Sequence, residues 1–280
     1  MRLDAHQHFT AVYTPDLLLP ILKRNRFEGG VVVCRAVGGT ASGPVGGTPQ
    51  GSDDTAWHFQ LAAAHDFIRG VVAWADLDDP GIGALLDEYQ RHPKFRGLTG
   101  PINTGSPDTG SPDAESTDTE HIGRGLAELE ARDLTFDLDN LALVPEIAGR
   151  YSRLRIVIDH LGRPPVEPSR PPAAGHRNPF EAWARALERA AQHPLVFGKL
   201  SGLITHCPTR WKAEDFRPYV QHALRTLGPH RLMFGSDWPS YLPEGTFKES
   251  LAAFTQSIGA LPIEMREDLL GGTAERAYAL

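Results

Sequence analysis

The 280-residue sequence predicts an α/β fold, a distorted TIM (β/α)8 barrel built as one domain over residues 1–280. Three observations predict it. Eight short apolar runs alternate with longer amphipathic ones, the signature of βαβ units and a parallel sheet. No shift in composition divides the chain, and α/β barrels of about 250 residues form single domains. Chemistry-bearing side chains collect just after the apolar runs, where such a barrel keeps its active site. An open doubly wound sheet is the alternative. It calls for a Gly-rich dinucleotide turn after the first strand, and His6-Gln7-His8 stands there instead.

Taken in order, Arg2–Ala5 is the first expected strand, followed by a helix over Pro15–Asn25 in which Pro20 predicts a kink or break. Gly30–Cys34 is a β-branched run suited to a buried strand. The Gly/Pro/Thr/Ser stretch 38–52 predicts an exposed loop. A helix follows over Asp53–His65, capped by Asp53 or Asp54. Strands are then expected at Ile68–Trp74 and Phe95–Leu98, with a helix over Gly81–Arg91 between them. A tandem repeat, Thr-Gly-Ser-Pro-Asp at 104–108 and again at 109–113, cannot bury a core and reads as part of an exposed loop over 100–116. Helices over His121–Arg132 and Leu141–Arg150 flank a strand at Leu134–Leu138. Arg155–Ile158 is the sixth strand, and a Pro-rich stretch spans Pro164–Pro172. The helix over Pro179–Gln192 begins with proline, as helices tolerate. Leu195–Leu200 and Arg231–Phe234 complete the strands around a helix at Asp215–Leu227. Thr246–Ser257, Ile263–Leu270 and Thr273–Leu280 close the chain as helices.

Composition narrows the function classes. The formal charge is −7, and no run of Lys or Arg occurs, which argues against nucleic acid and anionic membranes as partners. Mean hydropathy is −0.29, and no apolar run approaches the ~20 residues that span a bilayer. The histidine pair begins at residue 6, leaving no room for a signal peptide. Two distant cysteines, Cys34 and Cys207, form neither a disulfide framework nor a zinc pattern. The expectation is a cytoplasmic enzyme acting on a small molecule, with oligomeric state, a homodimer included, left open.

In an extended strand residues i and i+2 share a face, so His6 and His8 present both imidazoles to one spot. Such a pair alone leaves packing and chemistry both open. Partners come from other strand ends: Asp159 and His160 after the sixth, Lys199 and Ser201 at the seventh, Ser236 and Asp237 after the eighth. His6, His8, His160 and Asp237 form a mononuclear zinc-type set with positions left for water. Without metal, Asp237 as general base and imidazoles polarising a carbonyl remain a working set. Asp159 and Ser236 read equally as local hydrogen-bonding residues, and Lys199 as a salt-bridged strand end. The remaining histidines on helices, including His58, His65, His92, His193, His222 and His230, read as surface or core residues.

These residues carry a resemblance. His6-Gln-His-Phe9, Val71-Val-Ala-Trp-Ala-Asp-Leu77, Phe95-Arg-Gly97, Thr135-Phe-Asp-Leu138, Val157-Ile-Asp-His-Leu-Gly162, Gly198-Lys-Leu-Ser-Gly-Leu203, Arg231-Leu-Met-Phe-Gly-Ser-Asp-Trp-Pro239 and Gly271-Gly-Thr-Ala-Glu-Arg-Ala-Tyr278 resemble the amidohydrolase superfamily, in the branch of sugar lactonases such as L-fuconolactonase and of pyrone-dicarboxylate lactonase. The resemblance runs almost end to end. It implies hydrolysis of a lactone, with His6, His8, His160 and Asp237 as catalytic and metal-ligating residues. It also implies Lys199, Arg96, Trp74, Asp137, His206 and Trp238 as substrate contacts. Members differ in metal use, and one divalent ion, zinc, is the expected cofactor. Lactonase-like members continue Phe-Arg-Gly with an apolar residue, Arg and His, whereas Leu98 is followed here by Thr99 and Gly100. Where they carry Glu after Ser201–Thr205, this chain has His206. The substrate is thus less determined than the chemistry. A metal-dependent decarboxylase using His206 is the alternative activity, and a catalytically silent binding protein the alternative class.

Overall fold

The computed structural model describes residues 1–35, 54–102, 119–166, 179–207 and 211–280. The loop expected at 38–52, the repeat at 104–113 and the prolines at 168, 171 and 172 lie outside the described residues.

Eight parallel strands form one sheet in sequential order: β1 (Leu3–Gln7), β2 (Gly29–Val33), β3 (Ile68–Trp74), β4 (Phe95–Thr99), β5 (Thr135–Leu138), β6 (Arg155–Ile158), β7 (Val196–Leu200) and β8 (Leu232–Phe234). Helices α1 (Pro15–Arg24), α2 (Thr55–Ala64), α3 (Ile82–Tyr89), α4 (Gly123–Ala131), α5 (Val144–Arg150), α6 (Pro179–Ala190), α7 (Ala213–Thr226) and α8 (Phe247–Ile258) follow the strands one by one. The C-terminal segment is α9 (Ile263–Glu267), a π turn at Asp268–Gly272 and α10 (Thr273–Tyr278). This is the predicted barrel. Helix α1 runs unbroken through Pro20, contrary to the expected kink. Pro20 is exposed, so the carbonyl deprived of its partner can face water.

Two apolar layers result. The larger lies between the strands and the helices around them, with Val32, Val71, Leu98, Phe136 and Ile156 facing outward. The smaller fills the barrel: Leu3, Ala5, Val31, Val33, Val72, Val157, Phe197 and Met233, joined by Ala274, Ala277 and Tyr278 of α10. Helix α10 therefore plugs the end of the barrel opposite the strand C-termini.

The seam between β8 and β1 is formed by irregular backbone just beyond β8. Asp237 N donates to His6 O at 2.9 Å, and His8 N donates to Trp238 O at 2.7 Å. The same two segments that close the barrel carry its most reactive side chains. β1 extends further than predicted because Gln7 bridges to Trp238.

Candidate active site

β1 advances three residues, Asp4 to Gln7, while β2 advances two, Gly30 to Val32. This bulge reverses the alternation of faces. Leu3 and Ala5 face the barrel interior, and after the extra residue His6 and His8 face it as well. Simple alternation would have set them opposite to Ala5. The two imidazoles meet with Nε2 atoms 3.0 Å apart. His8 Nδ1 donates to Val33 O at 2.6 Å, which leaves His8 Nε2 as a lone pair. Burial, with Arg35 nearby, pushes the His8 imidazole down to about 3, so it is neutral at physiological pH.

Asp237 enters from beyond β8 with φ of 63°, a left-handed conformation that is strained for a side chain of this kind and typical of functional positions. Its Oδ1 lies 3.5 Å from His8 Nε2 and 3.9 Å from His6 Nε2. That oxygen is buried and has no hydrogen-bond partner among the described residues. Burial works against charge on Asp237, but His160, His8 and His6 around it hold its carboxyl well below the usual carboxylate range. His6, His8 and Asp237 offer ligand atoms within 4.8 Å of one another. Two imidazole nitrogens and an orphaned carboxylate oxygen make a donor set suited to zinc.

His160 approaches from the other side. It lies in a tight turn after β6, at φ 52°, and its Nδ1 is 2.9 Å from Ser201 Oγ. Burial keeps it neutral, well below the ordinary imidazole value. Its ligand nitrogen groups with Asp237 and His206 rather than with His6 and His8. The four residues expected as one ligand set thus fall into two sets that share Asp237. Close approach requires two glycines. A Cβ on Gly202 would lie 2.6 Å from His160 Nδ1, and one on Gly235 would lie 2.7 Å from His6 Cβ.

Beneath the histidines runs a buried ionic chain. Tyr278 Oη donates to Asp137 Oδ2 at 2.6 Å, and Lys199 Nζ donates to the same oxygen at 2.8 Å. Lys199 Nζ also lies 2.8 Å from Asp159 Oδ1, which in turn lies 3.2 Å from His6 Nδ1. Lys199 and Asp137 are both 0% exposed. Despite its burial, Lys199 is held as an ammonium by Asp137 and Asp159, and its value is raised.

This arrangement engages four of the expected substrate contacts within the protein itself. Lys199 and Asp137 neutralise each other inside the barrel. Trp238 is buried, its ring packed on Phe9 and Tyr13. Arg96 sits at the far end, donating to Pro93 O and Phe95 O, with its stem beside Gly70 near Leu280. Of the expected contacts, half-buried Trp74 stands at the end of β3, and exposed His206 packs edge-on against His160 with ring centroids 5.0 Å apart. Asp159, read from sequence equally as a local hydrogen-bonding residue, instead serves the ionic chain. Ser236 does take the local role, accepting from Trp238 N at 3.0 Å.

Arg35 was not singled out from the sequence. It follows β2 directly, and its guanidinium crosses the mouth to donate to Ser240 Oγ at 2.8 Å, 3.8 Å from Asp237 Oδ1. A cation one or two residues after a barrel strand was the available signal. Asp54 stands at the expected cap position of α2, but its carboxylate accepts from Arg35 N at 2.9 Å instead of from the helix. His58, expected as a core or surface residue, is fully buried. It bonds Asp54 O through Nδ1 and accepts from Phe9 N through Nε2, fixing the chain next to His8.

A family model described as Amidohydrolase matches residues 3–280. The chain is 31% identical over 310 aligned positions to an L-fucono-1,5-lactonase of Burkholderia multivorans, covering 100% of this chain and 96% of that protein. It superposes on a zinc-bound amidohydrolase structure, also from Burkholderia multivorans, with a TM-score of 0.79 and 29% identity, over 100% of this chain and 99% of the other. A probable 2-pyrone-4,6-dicarboxylic acid hydrolase of Acinetobacter baumannii shares the fold, with a TM-score of 0.71, 15% identity and coverage of 100% and 99%.

Proposed function

The chain belongs to the amidohydrolase family, and from that premise we propose that it is a hydrolase opening a lactone ring, with Asp237 as the general base. The observation that carries this reading is the orphaned, buried Asp237 Oδ1 facing the Nε2 atoms of His6 and His8. The relatives support the class of reaction: the Burkholderia protein is an L-fucono-1,5-lactonase, and the solved Burkholderia amidohydrolase holds zinc.

His6, His8 and Asp237 would hold one divalent ion, zinc, with His160 standing across from them. When bound, the ion supplies Lewis acidity toward the ring carbonyl and toward water. Asp237 takes a proton from the attacking water as its oxygen bonds to the carbonyl carbon, and returns that proton to the ring oxygen as the carbon–oxygen bond breaks. His160, neutral and oriented by Ser201, points a polar nitrogen at the same spot. Arg35 supplies the cation at the rim that Thr99-Gly100 does not, and it suits a substrate hydroxyl or carboxylate. Trp74 and His206 complete the substrate-facing edge.

The experiment is a panel of aldono-1,5-lactones, L-fucono-1,5-lactone among them, and 2-pyrone-4,6-dicarboxylate, assayed for proton release on ring opening, with metal content measured on the same protein. Ring opening lost on chelation and restored by zinc is the expected result. Carbon dioxide release without ring opening would establish the lyase instead, and no turnover of any member would overturn the lactonase reading. Replacing Arg35 with Met is expected to raise KM about tenfold or more for substrates with a carboxylate, leaving kcat within about threefold, as loss of a charge-assisted contact predicts.

A further inference from the structure

His6 stands between two competitors for one nitrogen. Its Nδ1 is 3.2 Å from Asp159 Oδ1 and 3.2 Å from Lys199 Nζ. A neutral imidazole carries a single proton, so Nδ1 either donates to Asp159 or accepts from Lys199. Lys199 Nζ hydrogen-bonds Asp137 Oδ2 and His6 Nδ1, while Asp159 Oδ1, 2.8 Å from Nζ as an ion pair, is left without a hydrogen bond among the described residues and free to accept from His6 Nδ1.

The choice at Nδ1 decides the other end of the ring. If Nδ1 accepts from Lys199, the proton is on Nε2 and reaches His8 Nε2 across 3.0 Å. His8 Nε2 can accept it because His8 Nδ1 donates to Val33 O. If Nδ1 donates to Asp159, the two Nε2 lone pairs face each other at that distance beside the orphaned oxygen of Asp237. This second arrangement is repulsive until a cation is placed between the three atoms.

We propose that His6 is a tautomeric switch for metal loading, set by Lys199 on one side and Asp159 on the other. Without metal the imidazole carries its proton on Nε2, bonded to His8. On binding a divalent cation Nε2 gives up its proton to water and Nδ1 takes one up from water, bonded to Asp159, so that Nε2 would serve as a ligand. The ring carries one proton before and after, so the change needs neither net protonation nor movement of the backbone. Asp159 and Lys199 are positioning residues in this scheme, acting through His6 without touching substrate. The inference rests on the metal reading above.

The test uses 15N-histidine-labelled full-length protein, chelated and then zinc-loaded, with the ring nitrogens of His6 assigned by comparison with a His6→Asn sample. The expected result is a proton on Nε2 in the chelated form and on Nδ1 in the loaded form. Asp159→Asn keeps the side-chain shape and leaves Lys199 paired with Asp137, and native circular dichroism checks that the fold is retained. Its zinc affinity, read against a competing chelator, is expected to fall ten- to a hundredfold, as for lost partners of metal-bound histidines. A wild-type protein that binds no zinc overturns the metal reading, and this one with it. Zinc binding with the Nδ1 proton present in both forms, or unchanged affinity in Asp159→Asn, overturns the switch alone.

Discussion

Replacing Asp237 with Asn changes one atom of the site and almost none of its shape. Oδ1 of Asp237 makes no hydrogen bond among the described residues, and the side chain is 1% exposed. His160, His8 and His6 favour the charged form, and Arg35 lies 3.8 Å away, so the metal-free variant is expected to lose some stability at neutral pH, a loss that shrinks as pH falls. Two imidazole nitrogens, at 3.5 and 3.9 Å, are the nearest ring groups. In the proposed chemistry that carboxylate is the base and would also be a ligand. A positioned general base contributes about 10²–10⁴ in rate, about 2.7–5.4 kcal/mol of barrier. Loss of a ligand adds to this, so kcat/KM should fall at least 10³-fold. The assay is proton release during ring opening at saturating zinc, paired with a thermal melt of the chelated protein. A variant retaining more than about a tenth of wild-type kcat would refute the reasoning by showing that the carboxylate is not the base; the melt checks that the assayed variant is folded.

Other outcomes follow from the same geometry. Lys199→Met leaves Asp137 and Asp159 buried without their cation. Unfolding by denaturant should show a loss of about 3–5 kcal/mol, the usual result of breaking a buried pair, rather than the selective rise in KM of a lost substrate contact. Gly202→Ala places a methyl group 2.6 Å from His160 Nδ1 at a φ of +64°. It should cost about 1 kcal/mol or more in stability and lower kcat by at least tenfold as His160 is displaced, measured on soluble protein of native circular dichroism. Burial raises the Cys207 thiol to about 11, so its thiolate is scarce at neutral pH. Alkylation of Cys207 in the folded protein should be slow and should accelerate about tenfold per pH unit up to that value, whereas a rate already flat above pH 9 would contradict the burial.

Much of the fold was written in local patterns. β-branched runs such as Gly30–Val33 and amphipathic stretches such as Pro179–Ala190 mark their own element types, and eight alternations leave few topologies. The histidine pair and Asp237 were legible because strand ends in a barrel converge. Four features were not. The bulge between Asp4 and Gln7 is a mismatch between two strands, and nothing in β1 alone records it. The fate of Lys199 depended on Asp137, Asp159 and Tyr278, which come from three distant segments and meet only inside the closed barrel. Arg96 and Trp238 carry the chemical types of substrate contacts, yet the direction of each was set by tertiary packing. Arg35 is the complementary case: its place is set by Ser240 and Asp237, which come from beyond β8.

In the proposed site one metal ion would join β1 to the chain beyond β8. The most direct measurement is an anomalous difference map at the zinc edge from crystals of the zinc-loaded protein. One dominant peak is expected between His6, His8 and Asp237, the residues that would hold the ion. A catalytically active crystal form with no peak there, or with its zinc held elsewhere, would contradict it.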